Sequence, residues 1–107
     1  MLDRSRDEEE LIVYRAAREE AIRRFGKVCL YCGSHSKRIT VDHIIPRSLG
    51  GQDYVDNLAP CCRSCNEQRG AWSIDVFFEM MLVDRGPDAL LGIIDRVYRG
   101  RGTRNAD

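Results

Sequence analysis

The chain has 107 residues and a balanced formal charge, with 17 basic and 17 acidic side chains. This length predicts a single domain with a small core, and no apolar run approaches the roughly 20 residues that cross a bilayer. A neutral total charge does not indicate a nucleic-acid partner, but 15 of the 17 basic residues are arginine. Arginine suits bidentate contacts with phosphate, so a polyanionic partner is compatible with the composition.

The N-terminal segment, residues 1–26, is predicted to form a helix over 5–25 because its apolar side chains recur at helical spacing. Ser5 and Glu8 have the spacing of a capping box, and Gly26 is a natural stop. The acidic, amphipathic start lacks the apolar centre of a signal peptide. We therefore expect a cytoplasmic protein, in which cysteine thiols stay reduced.

The middle segment, residues 27–70, is expected to begin with two short strands. The strands are predicted at 27–32 and 39–45, because the second is rich in β-branched residues and a Gly-Ser turn lies between them. A loop is expected from 48 to 57. Residues 62–69 are expected to form a short helix.

The C-terminal segment, residues 71–100, is predicted to form two helices that pack on the middle segment. Ser73 can cap the first helix, and its apolar residues follow a helical series: Ile74, Phe77, Phe78, Met81 and Leu82. The second helix is expected to end near Arg99, with these residues on its apolar side: Leu90, Leu91, Ile94, Val97 and Tyr98. We expect the remaining tail, residues 101–107, to be disordered.

Four of the five cysteines form two pairs with two residues between their members, Cys29 with Cys32 and Cys62 with Cys65. This spacing lets both sulfurs of a pair turn toward one ion, and two pairs complete a tetrahedral site. Four soft thiolates in a closed site favour structural zinc, with an iron centre as the weaker alternative. Cys61 could replace Cys62, but the spacing favours Cys62 and leaves Cys61 as a small buried residue.

A second group of polar residues lies in the 29 residues between the two pairs and directly after the second pair. Asp42 and His43 lie on the predicted second strand, and Asn66 directly follows the last cysteine of the second pair. A metal that ties Cys65 to the first pair would also carry Asn66 toward this strand. Because neighbouring strand residues point to opposite faces, Asp42 and His43 can share a site only where the strand ends or is distorted.

Four segments, "CLYCG", "VDHIIPRSLGG", "DNLAPCCRSCN" and "EQRG", together resemble the HNH endonucleases. The resemblance is to the zinc-knuckle branch found in phage and homing-type enzymes, and it covers residues 27–70. It implies an α+β fold: a zinc-anchored ββα-metal core (the His-Me finger) with flanking N- and C-terminal helices.

The resemblance also implies roles for individual residues. His43 would be the general base that activates water, and Asp42 and Asn66 would hold a catalytic divalent ion. Asn57 would hold the loop and orient the strand that carries the base. Arg69 stands where the family commonly has lysine.

The chemistry of phosphodiester hydrolysis agrees with these roles. Hydrolysis needs an activated water and stabilisation of charge on the phosphate, and hard oxygen ligands favour Mg²⁺ or Mn²⁺ over zinc at the second site. Three arginines near the motif are predicted to bind the phosphates of the DNA backbone: Arg47, Arg63 and Arg69. The sequence thus predicts a metal-dependent DNA endonuclease.

Two alternatives remain open from the sequence. One is a non-catalytic zinc module that binds DNA or a protein partner. The other is an accessory subunit of a phage DNA-packaging machine, in which a terminase or another DNA-processing protein directs the cutting. Taken singly, the polar residues of the motif would usually be turn, cap or surface residues.

Overall fold

The structure of the chain is a computed structural model. It describes the backbone of residues 7–105 and the side chains of residues 7–100. In chain order the regular elements are α1 (Glu8–Phe25), β1 (Thr40–His43), β2 (Leu58–Cys61), α2 (Arg63–Arg69), α3 (Ile74–Arg85) and α4 (Pro87–Asn105), with short 3₁₀ helices at Arg47–Leu49 and Val55–Asn57. The mixture of helices with one small sheet confirms the predicted α+β class.

The predicted sheet was wrong in one strand. β1 pairs antiparallel with β2, so that Thr40 lies opposite Cys61 and His43 lies opposite Leu58. The predicted strand 27–32 is instead a turn, with one isolated bridge between Val28 and His35. Its backbone still joins the sheet, because the Leu30 N–H donates to the Pro60 carbonyl at 2.8 Å.

Helix α1 begins with a capping box, though not at the predicted residues. Asp7 is the N-cap, its side chain accepts from the Glu10 N–H, and the Glu10 side chain accepts in return from the Asp7 N–H. The predicted partner Ser5 lies outside the described residues. The helix ends at Gly26 as expected, and it packs against α4 and β2.

The core lies between the sheet and the C-terminal helices. Phe77 and Met81 of α3 are fully buried, as their helical spacing predicted, and the Phe77 and Tyr31 rings form a T-shaped contact with 5.1 Å between centroids. The buried face of α4 is shifted from the predicted one, because Ile93 is buried while Leu91 and Tyr98 are exposed.

Helix α4 continues through residues that were expected to be a disordered tail. It extends to Asn105, past Gly100, which was expected to end it. Gly100 is buried against α1, and a Cβ atom at this position would lie 1.9 Å from Phe25 Cε1. This glycine therefore serves close helix packing rather than helix termination.

We expect Gly100→Ala to destabilise the protein by about 1–3 kcal/mol, because the added methyl group overpacks the contact with Phe25. Gly92→Ala, in the same helix, is the matched control, since the atoms nearest to its Cβ would belong to the flexible guanidinium end of Arg96, at 3.2 Å or more. Thermal denaturation followed by circular dichroism should show a lower Tm for the first variant only. Equal Tm values would contradict the packing role of Gly100.

Candidate active site

The two cysteine pairs form a single sulfur cluster. The Sγ atoms of Cys29, Cys32, Cys62 and Cys65 all lie within 4.8 Å of one another. Both pairs use the same local geometry, because Cys29 Sγ accepts from the Cys32 N–H and Cys62 Sγ accepts from the Cys65 N–H, each at 3.4 Å. Cys62 is also the N-cap of α2, so the cluster fixes the start of that helix.

The cluster has the dimensions of a tetrahedral zinc site. Zinc–thiolate bonds of about 2.3 Å place the sulfurs about 3.8 Å apart, and the Cys32 and Cys62 Sγ atoms are separated by 3.8 Å. The donor set of four thiolates is one that zinc prefers. These four residues therefore fit a structural zinc ion.

The electrostatics of the cluster also favour a bound cation. Burial raises the pKa of the Cys65 thiol, and the negative charge of Cys29 raises it further. Cys32 behaves differently: burial opposes its ionisation, but hydrogen bonds with Ser34 help to lower the pKa of its thiol to about 6. Four adjacent thiolates repel one another, and a divalent cation removes that repulsion.

Cys61 stands apart from the cluster, as its spacing predicted. Its side chain is fully buried, and its Sγ contacts Thr40 Oγ1 at 3.3 Å. Burial raises the pKa of the Cys61 thiol to about 12. Cys61 is therefore a neutral core residue.

Helix α2 lies along β1 and contacts it through two pairs of side chains. Asn66 Nδ2 donates to Thr40 Oγ1 at 3.0 Å. One turn further along α2, Arg69 forms an ion pair with Asp42. Because α2 starts at the sulfur cluster, the cluster fixes the position of Asn66 relative to β1, as the sequence predicted.

Asp42 is bound on the α2 side of the strand. One of its carboxylate oxygens, Oδ2, accepts from Arg69 and from the Tyr31 hydroxyl, the latter at 2.8 Å. Burial raises the pKa of Tyr31, and the Asp42 charge raises it further, so this hydroxyl stays a donor. The other oxygen, Oδ1, accepts no hydrogen bond from the residues that the structure describes.

Arg69 has an internal role, which corrects the prediction that it grips DNA. Its side chain is 1% exposed. Besides binding Asp42, the guanidinium donates to the backbone carbonyls of His43, Ile44 and Trp72 at 2.7 to 3.0 Å. A guanidinium buried among these partners holds the end of β1 in place and is not accessible to a DNA backbone at the surface.

The His43 side chain lies on the other side of β1. Its Nε2 atom is 2.7 Å from Asp53 Oδ1, and both side chains are largely buried. The imidazole stacks on the Tyr14 ring of α1, with 6.0 Å between centroids and 10° between planes. The imidazole of His43, the last residue of β1, is therefore held by Asp53 and Tyr14.

Asn57 closes the loop that connects the two strands. Its Oδ1 accepts from the Ile45 N–H at 2.8 Å, and its Nδ2 donates to the carbonyls of Ile45 and Gln52. The Ile44 N–H also donates to the Asn57 carbonyl at 2.9 Å. These are the contacts that the predicted loop-holding role requires.

The structure brings some of the predicted site residues together and separates others. Asp42 and Asn66 share the side of β1 that faces α2, whereas His43 faces α1. In the part of the chain that the structure describes, no hydrogen bond or ion pair joins these three side chains.

Comparison with models of protein families gives a match to HNH endonuclease over residues 29–83, more than half of the chain. The chain belongs to the HNH endonuclease family. The match begins at the first cysteine of the cluster and ends within α3, so α1 and all of α4 lie outside it. No curated protein matches this HNH domain closely enough to count as a relative.

The remaining predicted DNA contacts lie at the surface of the HNH domain. Arg63 on α2 is 84% exposed and pairs with Glu67, one turn along the same helix. Arg47 begins the 3₁₀ helix after β1 and is half-buried. Trp72 and Tyr54 are both exposed. No helix in the described range is both long and apolar enough to cross a membrane.

Two residues that contact His43 were not identified from the sequence. Asp53 lies in the predicted loop, and Tyr14 lies in the predicted N-terminal helix, where the helical spacing of apolar residues gave it no functional role. The one sequence signal for Asp53 is its position shortly after Gly50 and Gly51, in a loop that must turn back toward β1. Nothing in the sequence pairs Tyr14 with His43, since they are distant along the chain.

Proposed function

We propose that this HNH domain is a metal-dependent endonuclease that hydrolyses DNA phosphodiester bonds, with His43 as general base. The observation that carries the proposal is the placement of His43 at the end of β1, inside the family-matched segment, with its imidazole held by Asp53 and Tyr14. Imidazole is the side chain that most often moves protons in general acid–base catalysis. In-line attack by water activated in this way leaves 5′-phosphate and 3′-hydroxyl ends.

Asp42 and Asn66 are the residues that would hold the catalytic ion. Each has one side-chain oxygen that accepts no hydrogen bond from a described residue, and both lie on the α2 side of β1. Two hard oxygen donors suit Mg²⁺ or Mn²⁺. When bound, such an ion would polarise the phosphate and stabilise the leaving oxygen.

Arg47 and Arg63 would supply the contacts with the DNA backbone. Both lie near the motif, and neither is engaged by a buried carboxylate among the described residues. Contacts with phosphate are independent of base sequence and weaken as salt displaces them. We therefore expect DNA affinity to fall with ionic strength.

Two observations favour a second candidate, the non-catalytic zinc module that binds DNA or protein. The proposed base His43 faces α1, whereas the proposed metal ligands Asp42 and Asn66 lie on the α2 side of β1. The Asp42 carboxylate is already paired with Arg69, and a neutralised carboxylate attracts a divalent ion less strongly. The predictions of a cytoplasmic setting, a phage origin and a terminase partner remain predictions.

A plasmid assay tests the proposal. Zinc-loaded protein is incubated with supercoiled DNA in buffer without added metal, with Mg²⁺ or with Mn²⁺, because a chelator would also remove zinc. We expect relaxed or linear product only when Mg²⁺ or Mn²⁺ is present. DNA that shifts in a mobility assay but is not cut under any of these conditions would support the binding module.

We further expect Asn66→Ala to lose metal-dependent cleavage, because it removes a proposed ligand oxygen. Thr40→Val is the matched control, since it removes the partner of the Asn66 amide but leaves the Asn66 oxygen in place. Cleavage rates are measured against Mn²⁺ concentration. If both variants lose activity equally, Asn66 acts only through its bond to Thr40 and is not a metal ligand.

A further inference from the structure

Helix α1 lies outside the family-matched residues, yet it contacts the proposed general base. Tyr14 lies near the middle of the helix, and its ring is nearly parallel to the His43 imidazole. On the edge of the same imidazole, Asp53 Oδ1 lies 2.7 Å from Nε2. The His43 and Asp53 side chains are 16% and 15% exposed, so water has limited access to the hydrogen bond between them.

We propose that Asp53 and Tyr14 are positioning residues for His43, so that α1 forms part of the active site. The inference rests on the proposed function, because it assigns these residues to the residue proposed as general base. Asp53 would fix the rotation of the imidazole within the plane of the ring. Tyr14 would fix the orientation of that plane by stacking against it.

The hydrogen bond to Asp53 selects one tautomer of the His43 imidazole. A carboxylate only accepts hydrogen bonds, so Nε2 must carry the proton that is shared with Asp53. In the neutral ring the lone pair then lies on Nδ1. Nδ1 is therefore the atom that would take the proton from water.

The loop around Asp53 is built to hold this carboxylate in place. Asn57 Nδ2 donates to the carbonyl of Gln52, the residue before Asp53, at 2.9 Å. The Gly51 N–H donates to the Pro46 carbonyl, and a Cβ at Gly51 would lie 1.7 Å from the Ile45 carbonyl oxygen. Only glycine fits this turn, which brings the loop back toward β1.

Helix α1 is held against the sheet that carries His43. Arg18 donates to the Ile39 carbonyl just before β1, at 3.3 Å. The helix also packs against β2, the partner strand of β1. These contacts hold Tyr14 over His43.

A purely structural role is the competing explanation, since buried histidines commonly pair with a carboxylate. The two explanations differ in what a conservative substitution changes. If the pair is only structural, a substitution of Asp53 changes stability alone. If Asp53 positions His43, the substitution also changes the turnover rate and the ring nitrogen that carries the proton.

The main test compares Asp53→Asn with Asp56→Asn. Both variants remove one carboxylate from the same loop, but the Asp56 side chain is 60% exposed and pairs with Arg24 instead of His43. Plasmid cleavage with Mn²⁺ gives kcat and KM, and ¹⁵N NMR of the His43 ring shows which nitrogen carries the proton. Tm and zinc content show that each variant is folded.

We expect Asp53→Asn to lower kcat by about 10²-fold or more with little change in KM. The wild-type spectrum should show the proton on Nε2, and the variant should lose this preference. Asp56→Asn should match the wild type in both measurements. An unchanged kcat in Asp53→Asn, or an increase, would overturn the positioning role, as would a wild-type proton on Nδ1.

The role of the Tyr14 ring is tested by comparing an aromatic with a non-aromatic substitution. Tyr14→Phe keeps the ring and should keep kcat, whereas Tyr14→Leu should lower it about three- to tenfold, as expected for the loss of one aromatic contact. Equal kcat values for the two variants would overturn the role of the ring. If the wild type cuts no DNA at all, the proposed function fails, while the NMR measurement still decides whether Asp53 fixes the imidazole.

Discussion

We expect Cys65→Ala to lose its bound zinc and to unfold at room temperature. Cys65 belongs to the sulfur cluster and lies in α2, which carries Asn66 and Arg69. Structural zinc contributes about 10–16 kcal/mol in zinc-finger peptides, and the whole stability of a domain is about 5–15 kcal/mol. Loss of the ion therefore removes more free energy than a chain of this size can replace.

Cys61→Ala is the matched control for this experiment. Cys61 is buried like Cys65 and lies four residues before it, but it is not part of the cluster. We expect this variant to keep one zinc ion per chain and to lose about 1 kcal/mol. Metal content by mass spectrometry and unfolding by circular dichroism measure both effects. A Cys65→Ala variant that keeps its zinc and its Tm would refute the anchoring role of the cluster.

The sequence predicted best the elements whose signals are local. The two cysteine pairs share a fixed spacing, and α3 has a capping serine followed by a regular apolar series, so both were predicted correctly. The turn that contains Leu30 and Tyr31 was mistaken for a strand because it buries consecutive apolar side chains, as a central strand would. β2 was missed because Pro60 and the adjacent cysteines hide its pattern.

The site could be predicted only in part, because its chemistry depends on contacts between distant residues. Arg69 has the sequence context of a surface arginine on a short helix, and only the fold shows that its guanidinium is buried against Asp42. Gly100 has the pattern of a helix stop, and its packing role depends on Phe25 far away in the chain. No local rule encodes either contact.

β1 connects the two halves of the site. On one side, Thr40 and Asp42 contact α2, which starts at the sulfur cluster. On the other side, His43 contacts α1 and the Asp53 loop. Arg69 links the two sides, because its guanidinium binds the Asp42 carboxylate and also the His43 carbonyl. Loss of zinc should therefore disturb His43, the proposed general base, although His43 is not part of the sulfur cluster.

The second large effect is expected from His43→Ala, which should lower the rate of metal-dependent plasmid cleavage by about 10²- to 10⁴-fold. The variant removes the imidazole that we propose as general base but keeps the sulfur cluster. DNA affinity in a mobility-shift assay should change little, because the proposed phosphate contacts come from Arg47 and Arg63. The initial rate of supercoiled plasmid loss with Mn²⁺ is the measurement.

His35→Ala is the matched control, since His35 is the other of the two histidines in the chain and lies exposed in the turn before β1. It should cut DNA at the wild-type rate. Because His43→Ala removes the hydrogen bond between His43 and Asp53, His43→Gln is a second variant that keeps an amide donor but cannot act as a base. Equal cutting by the wild type and a folded His43→Gln would exclude His43 as the base, and the catalytic role would then have to be sought elsewhere in the HNH core.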